Sequence, residues 1–155
     1  MFGQTYIQYG KRVVLNNLLE ASIDEVFSNH FSMPTQPCQK LPQGIGYVAS
    51  IPFSDINGAQ RALLWLQKPV IEKISDLLLG EDSPDEATLA DLTAEVANFV
   101  VGHAKMEASD QNNSFSMGTP SFEGIRPLEG ASENIRLFSI DDGCIALQIE
   151  SVDAR

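Results

Sequence analysis

Apolar residues recur at helical spacing over about residues 12–29, where Leu15, Leu18, Leu19, Ile23, Val26 and Phe27 share one side. Residues 32–44 hold Pro34, Pro37 and Pro42 and show no apolar period, which predicts a loop. The period then becomes two: Tyr47, Ala49, Ile51 and Phe53 alternate along a strand. Asn57-Gly58 supplies a tight turn whose central residues take positive φ, and residues 59–66 (AQRALLWL) return as the partner strand. Pro69 opens a short helix, because its missing N–H costs nothing there. Gly80 closes that helix after Leu77-Leu78-Leu79.

The next segment carries the clearest helix start. Ser83 is placed to cap, Pro84 sits first inside, and Glu86 completes a capping box for a helix running to about Ala108. Its expected buried stripe is Leu89, Leu92, Val96, Phe99, His103 and Met106. A second, polar stripe of Asp91, Glu95, Asn98, Gly102 and Lys105 is expected to face solvent. After a polar loop at 109–114, the strand-like FSMGTPSFEG contains Pro120, which points to a sheet edge. Strands at about 132–140 and 143–151, joined by Asp141-Asp142-Gly143, close the chain. Consecutive hairpins with segregated helices predict an α+β fold, helices packed on a largely antiparallel sheet. The 155 residues are expected to form a single domain spanning 1–155.

A formal net charge of -11 argues against nucleic acid, whose backbone is bound through clustered Lys and Arg, and against anionic lipid. No apolar run approaches the roughly 18 residues that span a bilayer. The opening Met1-Phe2-Gly3-Gln4 has no basic segment leading into an apolar stretch, so no secretory leader and a cytoplasmic location are expected. Cys38 and Cys144 are too few for a disulfide framework and are expected to be reduced thiols.

Common catalytic patterns are absent. The sequence has neither GxxxxGK[ST] nor GxGxxG, and no local motif supports a serine triad around His30 or His103. His103 falls on the apolar stripe and reads as a satisfied core-edge residue rather than a catalyst. Cys38, Cys144, His30 and His103 lack ligand spacing, so no metal site is expected. Asp91 and Glu95 are four apart on one face, but for Asp91 a solvated acidic surface explains the spacing. Glu95 and Asn98, three apart, point the same way. Asparagine is mildly unfavourable in mid-helix because its amide competes for backbone hydrogen bonds, so an exposed one with no capping role calls for a functional explanation. A Glu-x-x-Asn spacing arises by chance in roughly one chain in three of this length. Its setting therefore has to carry the reading.

That setting is informative. The segment DLTAEVANFVVGHAK (91–105) resembles the central helix of the CheC/CheX/FliY phosphatase family. The family helix carries an acidic residue four before the Glu, the Glu-x-x-Asn pair and a Gly four after the Asn; here these are Asp91, Glu95, Asn98 and Gly102. A Gly-Ile-x-Gly-type strand and hairpin (44–66), a short helix ending LLLG (77–80) and TPSFEG (119–124) fall where the family has similar segments. The resemblance covers about residues 12–150. CheC-type proteins carry two Glu-x-x-Asn motifs on two helices, but here Glu20 is followed three later by Ile23 and Glu25 by Ser28. The chain thus looks closer to the single-motif CheX branch.

The resemblance implies a phosphatase for the phospho-aspartate of a CheY-like receiver in chemotaxis or two-component signalling. The receiver supplies its own Mg²⁺, so no cofactor of the chain's own is implied. Asn98 would orient the attacking water and Glu95 would pair with a receiver lysine. Asp91 and Gly102 would lie in the contact, Gly102 admitting the receiver close to the helix. A homodimer is also implied, since CheX-type proteins dimerise through their sheets. Two other readings remain: a non-catalytic adaptor of the same fold and, ranked lowest because such a member is expected to carry an extra domain, a structural part of a flagellar switch-like assembly.

Overall fold

The computed structural model describes residues 16–38, 40–55, 58–80, 83–110, 115–129, 135–140 and 143–152. The first helix, α1, covers described residues 16–25 and runs into a π-helical turn, Val26–His30. There the Phe31 N–H donates to the Val26 carbonyl, five residues back. The 32–44 segment is not loop throughout: Gln36–Cys38 forms a short strand, β1, on the sheet edge. Proline is tolerated on an edge because its missing donor faces no partner there, which accommodates Pro37.

Strands β2 (Ile45–Asp55) and β3 (Gly58–Gln67) form the expected hairpin. Tyr47 faces Leu66, Ala49 faces Leu64 and Ile51 faces Ala62, so the alternation becomes a set of buried cross-strand pairs. Gly58, at φ +110, pairs with Asp55 as the first residue of β3, and Asn57 lies outside the described residues. Helix α2 (Lys68–Leu79) carries Pro69 in its first turn. It ends at Gly80, whose φ of +68 is the left-handed cap conformation.

Helix α3 (Glu86–Asp110) starts later than expected. Asp85 caps it in place of Ser83: its Oδ1 accepts the Thr88 N–H at 2.8 Å. These bonds hold the Asp85 carboxyl below its ordinary value, the Thr88 side chain contributing most. Glu86, expected in a capping box, is simply the first helical residue.

Strands β4 (Ser116–Met117) and β5 (Ser121–Pro127) both pair with β2, with Pro120 in the link between them. Strands β6 (Ile135–Ile140) and β7 (Gly143–Ser151) form the closing hairpin; Asp141 and Asp142 of its turn lie outside the described residues. The antiparallel sheet has the order β1-β6-β7-β3-β2, with β4 and β5 beyond β2.

The helices cover one face. Leu19, Ile23 and Phe27 of α1, Ile71 and Ile74 of α2, and Leu89, Val96 and Val100 of α3 join the sheet residues in one buried cluster. Each such side chain contributes about 1.5–3 kcal/mol on burial. The Ser22 hydroxyl donates to the Val100 carbonyl and ties α1 to α3. On the other face Val48, Leu63, Trp65, Ile135 and Ala146 form a smaller cluster, with Leu128 packed against it. Trp65 Nε1 donates to the Arg126 carbonyl at 2.9 Å there.

Candidate functional site

Helix α3 is held to the sheet by small and medium side chains: Thr93, Val96, Ala97, Val100, Val101, Ala104 and Ala108 are buried. Alanines let the backbone seat closely on the sheet, and this choice rotates the helix relative to the expected stripe. Leu89, Leu92 and Val96 are buried as expected. Phe99 and Met106 are not: they are 50% and 69% exposed. His103 is half-buried at the core edge, as expected, but it is not the satisfied side chain expected there: its buried Nδ1 has no hydrogen-bond partner among the described residues.

The polar stripe does face outward. Asp91, Glu95 and Asn98 are exposed, and Gly102 and Lys105 are half-buried beside them. Glu95 and Asn98 have neither a side-chain hydrogen bond nor an ion pair among the described residues. Three apart on a helix, their Cβ atoms lie about 5–6 Å from each other, so one approaching body meets both. A Cβ added at Gly102 would meet nothing within 4 Å. The chain's own packing therefore does not require glycine there, although glycine costs a helix about 0.8–1.0 kcal/mol relative to alanine.

Phe99, like Met106, was placed wrongly by periodicity. It follows Asn98 directly and stands about 40° from Glu95 around the helix axis. Its ring meets that of His30, at the end of the π turn, with centroids 5.8 Å apart and planes tilted by 36°. The signal that would have found it is the alanine pattern: taking Ala97, Ala104 and Ala108 as the buried face leaves Phe99 on the flank.

The first helix holds a glutamate and an asparagine as well. Asn29 Nδ2 donates to Glu25 Oε2, so these two side chains satisfy each other. Glu20, in turn, is paired with Arg136 at 3.2 Å.

The other candidates do not join the α3 face. Strands β1 and β7 flank β6 and bring the Cys38 and Cys144 thiols side by side on one sheet face. Burial, and then the neighbouring Cys38 thiol, pushes the Cys144 thiol up. Both are free. No group of three or more His, Cys, Asp or Glu side chains converges among the described residues. A cavity of about 340 Å³ lies on the sheet face away from the helices, lined in part by Arg61, Trp65, Arg126 and Glu150, and the α3 stripe does not reach it. No described helix is long and apolar enough to cross a membrane.

Comparison with known proteins bears on the fold. No family profile and no curated protein matches the sequence. Solved structures do match. A CheC-like superfamily protein from Shewanella sp. PV-4 is 25% identical with a TM-score of 0.71, over 88% of this chain and 96% of that one. The chemotaxis protein CheX from Vibrio vulnificus is 21% identical with a TM-score of 0.73, over 88% and 95%.

The chain has the CheC/CheX-like fold. CheX from Borrelia burgdorferi, solved in complex with CheY, BeF3 and Mg²⁺, shares it at 14% identity and a TM-score of 0.58, over 86% of this chain and 95% of that one. Within this CheC/CheX-like fold, Asp91, Glu95, Asn98 and Gly102 lie together on the outward side of α3, the helix whose sequence carries the resemblance.

Proposed function

We propose that the chain is a phosphatase acting on the phospho-aspartate of a CheY-like receiver, with Asn98 and Glu95 as its working residues. The observation that carries this is the pair itself: two uncommitted polar side chains on the outward face of α3. The fold supports the choice of partner, since a CheX of this fold forms a complex with CheY.

The chemistry suits an asparagine. Its amide is not basic, but the side-chain oxygen accepts a hydrogen bond from a water and holds it in line with phosphorus. The water oxygen bonds to phosphorus, the bond to the aspartyl oxygen breaks, and the receiver's carboxylate leaves with that electron pair. Phosphoryl transfer has a loose transition state, so positioning and electrostatics are most of what a catalyst adds. Orientation of this kind contributes several kcal/mol, up to about 7–11. Mg²⁺ held by the receiver neutralises charge on the phosphoryl oxygens, so this chain needs none of its own.

Glu95 pairs with a receiver lysine through a charge-assisted hydrogen bond and sets the register of docking. Asp91, one turn earlier, adds to the same acidic field. Gly102, one turn after Asn98, leaves room for the receiver's surface. A cytoplasmic homodimer belongs to this reading, and sedimentation of the purified protein tests its dimeric part.

Incubation with a phosphorylated receiver and Mg²⁺, following loss of phosphate, tests the function. Wild type is expected to accelerate hydrolysis and Asn98→Ala to abolish the acceleration with the fold intact. Saturable binding without acceleration by wild type would instead make the chain an adaptor.

A further inference from the structure

Phe99 is a large apolar side chain left half in water on a helix whose other side had room for core residues. It is one residue from Asn98 and one turn from Glu95. Met106, two turns further along the same flank, is more exposed still. Between them Gly102 leaves open space. The outward side of α3 therefore changes character along its length: acidic at Asp91 and Glu95, then apolar at Phe99 and Met106 with Lys105 beside them. His30 meets the Phe99 ring from the neighbouring π turn and limits where that ring can swing.

We infer that Phe99, braced by His30, is the apolar anchor of the docking surface for the receiver, and that Met106 extends that surface. This rests on the proposed function, and it names a further determinant of the same site. The occupant follows from continuity. A folded partner covers about 800 Å² of surface per side in a standard interface. Any such body that brings a phosphoryl group to Asn98 must also cover the adjoining ring. Interface energy concentrates in a few large side chains that lose water on binding, and Phe99 is the large apolar side chain next to the working pair. The complementary patch on the receiver is apolar beside a basic residue, the apolar part meeting Phe99 and the basic part meeting Glu95. His30 is a positioning residue: it acts through the ring it holds.

Binding and catalysis are measured separately, on a panel of receivers. Affinity is read with beryllofluoride-activated receiver, and turnover with phosphorylated receiver over a range of concentrations. Phe99→Ala is expected to weaken binding and raise KM about tenfold or more, with kcat within about twofold of wild type. Phe99→Leu, which keeps apolar area, should recover most of the affinity. His30→Ala should weaken binding about threefold in wild type and add nothing in the Phe99→Ala background, because its effect passes through the ring. Thermal unfolding of each variant confirms that it folds. Unchanged affinity in Phe99→Ala overturns the inference, and additive effects of His30→Ala overturn the bracing role. Full activity in Asn98→Ala would remove the catalytic reading while the affinity result for Phe99 stands. A wild-type chain that binds no receiver of the panel overturns both.

Discussion

Two regions of this chain present a glutamate and an asparagine at the surface, and they differ in what those groups are free to do. On α1 and its π turn, Glu25 and Asn29 are four apart, and the amide donates to the carboxylate. On α3, Glu95 and Asn98 are three apart and have no side-chain partner among the described residues. The same two residue types thus serve local structure in one place and stay available in the other. A catalytic amide must keep its oxygen and nitrogen for water and substrate, so composition alone does not make a site. Spacing and the absence of a local partner do.

The largest effect that separates the two regions should come from the asparagines. Asn98→Ala is expected to cut receiver dephosphorylation by about 10²–10³-fold, the range for losing one oriented hydrogen-bonding group at a reacting centre. Asn29→Ala should leave turnover unchanged and cost at most about 0.5 kcal/mol in unfolding, the value of an exposed side-chain pair within a helix. Phosphate release and thermal melts on the two variants compare them directly. Equal losses of turnover would erase the distinction.

The glutamates should differ less. Glu95→Ala is expected to weaken receiver binding about tenfold and to flatten its dependence on salt, because an ion pair is screened and a neutral contact is not. Glu25→Ala should change neither. Titrations at low and high ionic strength read both quantities.

Gly102→Ala sharpens the contrast between what suits the chain and what suits a partner. No neighbour lies within 4 Å of the added Cβ, so the variant should melt a few degrees higher through helix propensity. It should also bind the receiver more weakly. A gain in stability with unaltered binding would mean that the open space is not used.

The smallest effect lies at the start of the same helix. Asp85 sits below its ordinary value of 3.8 because its ionised form accepts bonds from Thr88. A carboxyl with a depressed folded value stabilises the fold fully above that ordinary value, and the contribution fades as pH falls through the folded one. Asp85→Ala should therefore lower the melting temperature near neutral pH, with the gap to wild type narrowing below pH 3.8.

Much of this was legible from residue order. The alternation of Tyr47, Ala49, Ile51 and Phe53 specified a strand and its buried face, and the structure has both. Pro69 and Gly80 marked the bounds of α2. The outward stripe of α3 was also legible, because a residue opposite a wide apolar face is exposed whichever way the helix is rotated by a few tens of degrees. Residues on the flank have no such margin. Phe99, His103 and Met106 sit there, and the same rotation moves them between core and solvent.

The sequence by itself determined most of the helices and strands, the hairpin that pairs β2 with β3, and the outward face that Glu95 and Asn98 share. These are consequences of local period and turn chemistry, which act within a few residues. Tertiary structure decided the rest. It chose Asp85 over Ser83 as the cap, made an edge strand of Gln36–Cys38 by pairing it with β6, and brought Cys38 beside Cys144. It also set Phe99 against His30, on helices far apart in the chain. Each of these depends on contacts between distant segments, whose geometry follows from how closely α3 seats on the sheet rather than from the order of residues along it.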